Sequence, residues 1–134
     1  MLKELVTWLS GKTGWSIGTT NTLHYGSWPQ DGPSDAVQLK FSGGRTQFDD
    51  PKIFARTVQM LVRGATYESA EDLAFEAHEY LHAMKGETLS GVVTGEEWYI
   101  NTSDSLQDPT DIGRDEKRRF VFSCNYILRG EKLF

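Results

Sequence analysis

The sequence predicts an α+β fold: one domain over residues 1–134, with a mixed or antiparallel sheet packed by a central helix and a short N-terminal helix. Three observations support it. Helical periodicity is strong over residues 69–84 and weaker over the first dozen residues, and strict alternation marks residues 119–129 as a strand. A chain of 134 residues is long enough to bury one hydrophobic core. Because helices and strands do not alternate regularly, an antiparallel or mixed sheet is favoured over a parallel one.

The central helix, predicted over residues 69–84, is the clearest element. Ser69 and Asp72 have the spacing of a capping box, and Gly86 can supply the left-handed turn that ends the helix. One stripe of this helix is apolar and is expected to face the sheet. The members of the stripe are Ala70, Leu73, Ala77, Tyr80, Leu81 and Met84.

The same helix contains the H-E-x-x-H sequence of zinc peptidases, from His78 to His82. In those enzymes two imidazoles one turn apart bind the metal, a third side chain completes the site, and the glutamate activates water. A third ligand is hard to find, since His24 is the only other histidine and the carboxylates of Glu96 and Glu97 fall in a predicted hairpin. We therefore expect two surface or interface histidines and no catalytic, metal or cofactor site. A minimal zinc metallopeptidase using this motif remains the alternative function.

The N-terminal half is predicted to contain a short helix and three strands. Apolar residues recur at helical spacing from Leu2 to Leu9, before Gly11. Residues 21–28 favour an edge strand that leads into a turn-rich segment. The other two predicted strands are residues 36–41, which Ser42-Gly43-Gly44 ends, and residues 53–64.

The C-terminal half is predicted to begin with a hairpin of residues 89–94 and 97–102, with Trp98 and Ile100 on one face. The final strand places alternate side chains on its core face. These side chains are Phe120, Phe122, Cys124, Tyr126 and Leu128. With no histidine or acid near it in sequence, Cys124 is expected to be a small buried hydrophobe rather than a nucleophile.

Residues 103–117 show no apolar period, so we expect a long loop between the hairpin and the final strand. A connection of this length is more often a working loop than a plain link, and its charges could not be buried without partners. We predict that it binds a partner protein, the alternative being a solvated surface loop. The predicted partner-binding residues are Asp108, Asp111, Arg114, Asp115 and Lys117.

Composition excludes several classes of function. The net charge of −5, with basic and acidic residues interspersed, argues against a nucleic-acid-binding surface. No apolar run approaches the length of a membrane span and no signal-peptide pattern is present, so we expect synthesis in the cytoplasm and no membrane partner.

Short motifs across most of the chain resemble the minor capsid and tail terminator (tail completion) proteins of long-tailed bacteriophages. The longest is IGRDEKRRFVFSCNY, residues 112–126, which resembles the closing segment of that family. Residues 2–9, residues 25–33 with Trp-Pro, and residues 69–72 fit the same group. Arg118 stands where a glycine often follows the lysine.

The resemblance implies a non-enzymatic virion protein, made in the host cytoplasm, that forms a homo-oligomer expected to be a six-membered ring. The ring would sit at the head-proximal end of the tail tube and end polymerisation of the major tail tube protein. It would also join the tail to the head completion or connector protein. DNA would pass through the ring without being specifically bound, which suits the negative net charge.

Overall fold

The structure, a computed structural model, describes residues 1–18, 22–28, 30–46, 52–82, 84–91 and 95–133. These ranges contain two helices and seven strands. In chain order they are α1 Leu2–Thr13, β1 Leu23–Tyr25, β2 Ala36–Thr46, β3 Ile53–Gly64, α2 Tyr67–His82, β4 Lys85–Ser90, β5 Glu97–Ser105, β6 Thr110–Arg114 and β7 Phe120–Lys132.

All seven strands belong to one sheet, in which six of them follow the order β1-β2-β3-β7-β5-β4. β1 runs parallel to β2, and the other pairs are antiparallel. β6 also pairs with β7, on the same side as β5 but further towards the start of β7. The predicted α+β class with a mixed sheet is therefore confirmed.

The core lies between the sheet and the two helices. α2 packs against β3, β7 and β5, while α1 packs against α2, β1, β2 and β4. Alternate residues of β3 and β7 face α2 and are buried, as the alternation predicted. Three fully buried alanines, Ala70, Ala74 and Ala77, let the helix lie close to the sheet. Gly64 has the same role where β3 meets the start of α2, since a Cβ there would lie 2.6 Å from the Ala70 nitrogen.

Both ends of α2 differ from the prediction. The helix starts at Tyr67, and Thr66 caps it: the Ser69 N–H donates to Thr66 Oγ1 (3.1 Å) and the Thr66 N–H donates to Ser69 Oγ (3.2 Å). Ser69 therefore occupies the N3 position of a capping box rather than the N-cap. The helix ends at His82, and Gly86, although its φ is 60°, lies within β4.

Two other predicted boundaries, both based on glycines, are wrong. α1 continues through Gly11 and ends at Thr13, where it is capped by Gly14, which has a φ of 81° and whose N–H donates to the Ser10 carbonyl. β2 continues past Ser42-Gly43-Gly44 because a bulge between Phe41 and Gly43 absorbs the irregularity. β3 and the core face of β7 agree with the prediction. The predicted hairpin is present as β4 and β5, but its first strand spans Lys85–Ser90 instead of residues 89–94, of which residues 92–94 lie outside the described part of the chain.

The prediction of a structureless loop over residues 103–117 is wrong. β5 extends to Ser105, and β6 then pairs with β7 in a second hairpin. All five residues of β6 are exposed, so the strand has no buried face. A strand without a buried face carries no apolar alternation, which is why its sequence resembles that of a loop.

Candidate functional site

The five charged residues predicted to bind a partner lie on or beside the β6–β7 hairpin. Asp108 is in the connection before β6, Asp111 and Arg114 are in β6, and Asp115 and Lys117 are in the turn that follows. The structure divides them into two groups. Those of the turn form contacts within the chain, whereas those before and within β6 are largely exposed.

Asp115 holds the turn of residues 115–119, which we call the clamped turn. Its Oδ1 accepts the N–H groups of Lys117 (3.0 Å) and Arg119 (2.9 Å), and its Oδ2 accepts Arg119 Nε (2.7 Å). These bonds support Arg118, whose φ of 63° makes it the one non-glycine residue with positive φ in the described ranges. Partial burial raises the pKa of Asp115, but the hydrogen bonds from Arg119 outweigh it and hold the pKa below its ordinary value.

The clamped turn is also joined to the loop between β1 and β2. Arg119 donates to the Gln30 carbonyl (3.2 Å), and Lys117 forms an ion pair with Asp31. The hydrogen bond from Lys117 is the largest of the effects that lower the pKa of Asp31. The turn is thus fixed at two points by partners from a distant part of the chain.

A second arginine supports this loop from the sheet. Arg63 at the end of β3 is fully buried, and its Nε donates to the Pro33 carbonyl (3.1 Å). Its guanidinium lies 4.6 Å from the centre of the Trp28 ring, an arrangement that suits a planar cation. Burial, and then the charge of Arg119, lower the pKa of Arg63. The clamped turn and residues 30–33 of the loop are therefore joined at one end of the molecule.

The connection and strand before the turn present their side chains outward. The side chain of Asp108 is 86% exposed, and Leu106 and Ile112 are exposed by 58% and 57%. Asp111 accepts the Gly113 N–H (2.8 Å) at the bulge of β6, and the Arg114 guanidinium lies 4.2 Å from the centre of the Phe120 ring. We call Leu106, Asp108 and Ile112 the β6 ridge.

The sequence predicted two surface or interface histidines, and the first of them, His78, lies at the interface between α2 and β7. Only 13% of its side chain is exposed, and its Nδ1 lies 2.8 Å from the Tyr126 hydroxyl of β7. Burial raises the pKa of Tyr126, so this hydroxyl keeps its proton, and the tautomer of the imidazole decides which of the two groups donates in the contact. The alanine face of α2 brings the helix close enough to the sheet for His78 to reach β7.

The histidines help to hold the connection that carries the β6 ridge. His82 Nδ1 accepts the Ser105 N–H at 3.4 Å, and the Cys124 thiol donates to the Gln107 carbonyl at 3.0 Å. His78 Nε2 lies 3.9 Å from an Asp108 carboxylate oxygen. Cys124, buried as predicted, therefore lies among polar partners from α2 and from the connection.

The histidine rings stack in parallel, with their centres 5.2 Å apart and their planes at 9°, instead of converging on a shared point. In the described ranges, no three histidine, cysteine, aspartate or glutamate side chains are grouped as a metal site requires. Neither described helix has both the length and the apolar character needed to cross a bilayer.

A family model described as bacteriophage tail terminator protein matches residues 18–132, which include all seven strands and α2. The chain belongs to the bacteriophage tail terminator family. This membership confirms the resemblance found in the sequence motifs, and it gives the protein a structural role in a phage tail and a place in the virion. It also implies contact with other phage tail and head proteins. No curated protein matches the chain.

Sequence reasoning missed four residues of this end of the molecule: two exposed apolar ones, Leu106 and Ile112, and two buried arginines, Arg63 and Arg119. Leu106 and Ile112 are isolated apolar residues in a polar segment, so no periodic signal identifies them. Arg119 could have been recognised, because Asp115 lies four residues before it across a turn. Arg63 could not, since its carbonyl partner at Pro33 is thirty residues away in sequence.

Proposed function

We propose that this protein forms a closed ring, with the six members that the sequence resemblance implies, on the head-proximal end of the tail tube. There it ends polymerisation of the major tail tube protein and joins the tail to the head completion or connector protein. The observation that carries the proposal is the family match over residues 18–132. The 134 residues act as one domain, made in the host cytoplasm and incorporated into the virion.

The sheet supplies what such a ring needs. A closed ring of identical chains requires two different contact surfaces on each chain. β1 lies at one side of the sheet, where residues 16–18 bond to Leu23, while β6 lies at the other side of β7, and the two sides differ in sequence and in charge. Edge strands are ready sites for association unless they are covered, and the outer side of β6 has no partner among the described strands whereas that of β1 is partly covered. Two such unlike sides support a head-to-tail arrangement.

The charged residues of the β6–β7 hairpin have different parts in this proposal. Asp108, Asp111 and Arg114 contact a partner directly, since their side chains are exposed. Asp115 and Lys117 shape the hairpin through their contacts within the chain. The negative net charge of −5 suits a channel through which DNA passes, because it repels phosphate.

Tail tubes assembled from purified tube protein test the proposal. We expect the protein to bind one end of each tube as a ring visible by negative-stain electron microscopy, and bound tubes to stop growing when fresh subunits are added. Tubes without the protein serve as the control for continued growth. Tubes that grow equally with and without it, and that carry no density at their ends, would contradict the proposal.

A further inference from the structure

Two exposed patches occupy opposite edges of the sheet. The first is the β6 ridge. The second, which we call the β1 patch, consists of Lys3 of α1, Tyr25 of β1, and Ile17, which lies between these two elements in the chain. Between them lie β2, β3 and β7 in the order β1-β2-β3-β7-β6. A chain that carries both patches can present one to each neighbour in a ring.

The β6 ridge combines two apolar side chains with one acid. Leu106 and Ile112 are the most exposed large apolar side chains in the described ranges. The Leu106 N–H donates to the Asn125 carbonyl (3.0 Å), and Ile112 is the bulged residue beside Val121. They therefore flank the same side of β7 about 12 Å apart. Among the described strands, none pairs with the outer side of β6.

The β1 patch combines two apolar side chains with one base. Tyr25 and Ile17 are exposed by 43% and 40%, and Ile17 forms a parallel bridge with Leu23 of β1. The ammonium group of Lys3 lies 5.8 Å from the centre of the Tyr25 ring, which places the cation beside the apolar surface. The β1 patch thus has the composition of the ridge with the opposite charge.

We propose that the β6 ridge of one copy docks on the β1 patch of the next copy, with Asp108 facing Lys3. If two ridges were in contact, Asp108 of one copy would face Asp108 of the other. If two patches were in contact, the two Lys3 side chains would face each other. Juxtaposed like charges disfavour both arrangements. The ridge-to-patch contact leaves one ridge and one patch free on every pair, so it repeats until the ring closes. This inference rests on the proposed function and names the contact that builds the ring.

Charge reversal tests the pairing. Lys3→Glu and Asp108→Lys should each raise the protein concentration needed for ring formation at least about tenfold, because each places like charges in the contact. The double variant, Lys3→Glu with Asp108→Lys, should return that concentration to within about threefold of the wild-type value. Lys12→Glu and Glu116→Lys are matched controls, since they change exposed charges of the same sign outside the two patches. Mass photometry and sedimentation velocity give the readout.

A mixing experiment tests the head-to-tail arrangement. The ridge variant, Leu106→Ser with Ile112→Ser, and the patch variant, Ile17→Ser with Tyr25→Ser, should each fail to form rings. A mixture of the two should yield dimers with one chain of each variant and nothing larger, because each pair has one intact contact and two blocked surfaces. Circular dichroism and thermal melts confirm that each variant is folded.

The outcomes separate this contact from the proposed function. The proposed contact is overturned if the ridge variant or the patch variant forms rings, or if the double charge variant is as impaired as the single ones. If wild-type protein still forms rings on tubes, the proposed function stands. Wild-type protein that remains monomeric at every concentration and on tail tubes would overturn both.

Discussion

The clamped turn and the β6 ridge lie within fourteen residues of each other, yet they use charge in opposite ways. In the turn, Asp115 and Arg119 bind each other, and Lys117 binds Asp31. In the ridge, Asp108 is exposed, with the His78 imidazole 3.9 Å away, between two exposed apolar side chains. The comparison teaches that the charges of one dense run are not equally available to a partner, because those of the turn are engaged within the chain while the side chain of Asp108 remains 86% exposed.

The largest expected effect comes from removing the centre of the clamped turn. Asp115→Ala eliminates three hydrogen bonds and leaves the buried Arg119 without its carboxylate, so we expect a loss of about 2–4 kcal/mol in the free energy of unfolding. Urea denaturation measures it. Asp111→Ala, which removes one exposed hydrogen bond, is the matched control, with an expected loss of about 0.5–1 kcal/mol. Equal losses would remove the distinction between the two regions.

The next largest effect is a pH dependence of stability that comes from His78, which helps to hold the connection that carries the β6 ridge. Burial first, and then the charge of His82, lower the pKa of His78 below 6.5, while Asp108 and Glu79 oppose the shift. Between the lowered value and 6.5, the unfolded chain binds more protons than the folded chain. The free energy of unfolding should therefore fall as the pH falls through 6.5, by at most about 1.4 kcal/mol per pH unit, and level off below the folded-state value.

His78→Gln should remove this contribution from the pH dependence, which denaturation curves between pH 5 and pH 8 can measure. The variant should be less stable than wild type at pH 8, because the contact with Tyr126 is altered, and the difference should narrow towards pH 5. A difference that stays constant across the range would show that His78 does not sense the pH.

Sequence periodicity predicted the elements that have a buried face. β3, β5, β7 and α2 carry apolar side chains at regular spacing, so their type and approximate position could be deduced, whereas β4 has one buried apolar side chain, Leu89, and its start was missed. The exact ends depended on polar contacts such as the Thr66–Ser69 capping box, where several residues could have capped the helix.

The candidate site was predicted less completely for a related reason. β6 has no buried face, so nothing in its sequence separated it from a loop. The five charged residues were predicted on a loop that the structure shows to be a hairpin, and the contacts of Asp115 and Lys117 involve the register of β7 and a loop more than eighty residues away. Such partners follow from the tertiary fold and are not encoded in local spacing.

The smallest expected effect on stability comes from reversing two charges of the hairpin. Arg114→Glu with Lys117→Glu should leave the free energy of unfolding nearly unchanged, because an exposed ion pair contributes little. We expect it to weaken attachment to the tail tube or the head connector in a salt-dependent way. Binding assays at two salt concentrations check it, and a double variant that attaches and completes infectious particles as well as the parent would show that these two charges have no part in binding.

Tube capping by the ridge variant tests the central claim most directly, because it separates folding from assembly. Leu106→Ser with Ile112→Ser should have the same free energy of unfolding as wild type to within about 0.5 kcal/mol, as expected for exposed positions. Electron microscopy should then show rings on tube ends with wild-type protein and bare, growing tubes with the variant. A ridge variant that caps tubes as well as wild type would contradict the account.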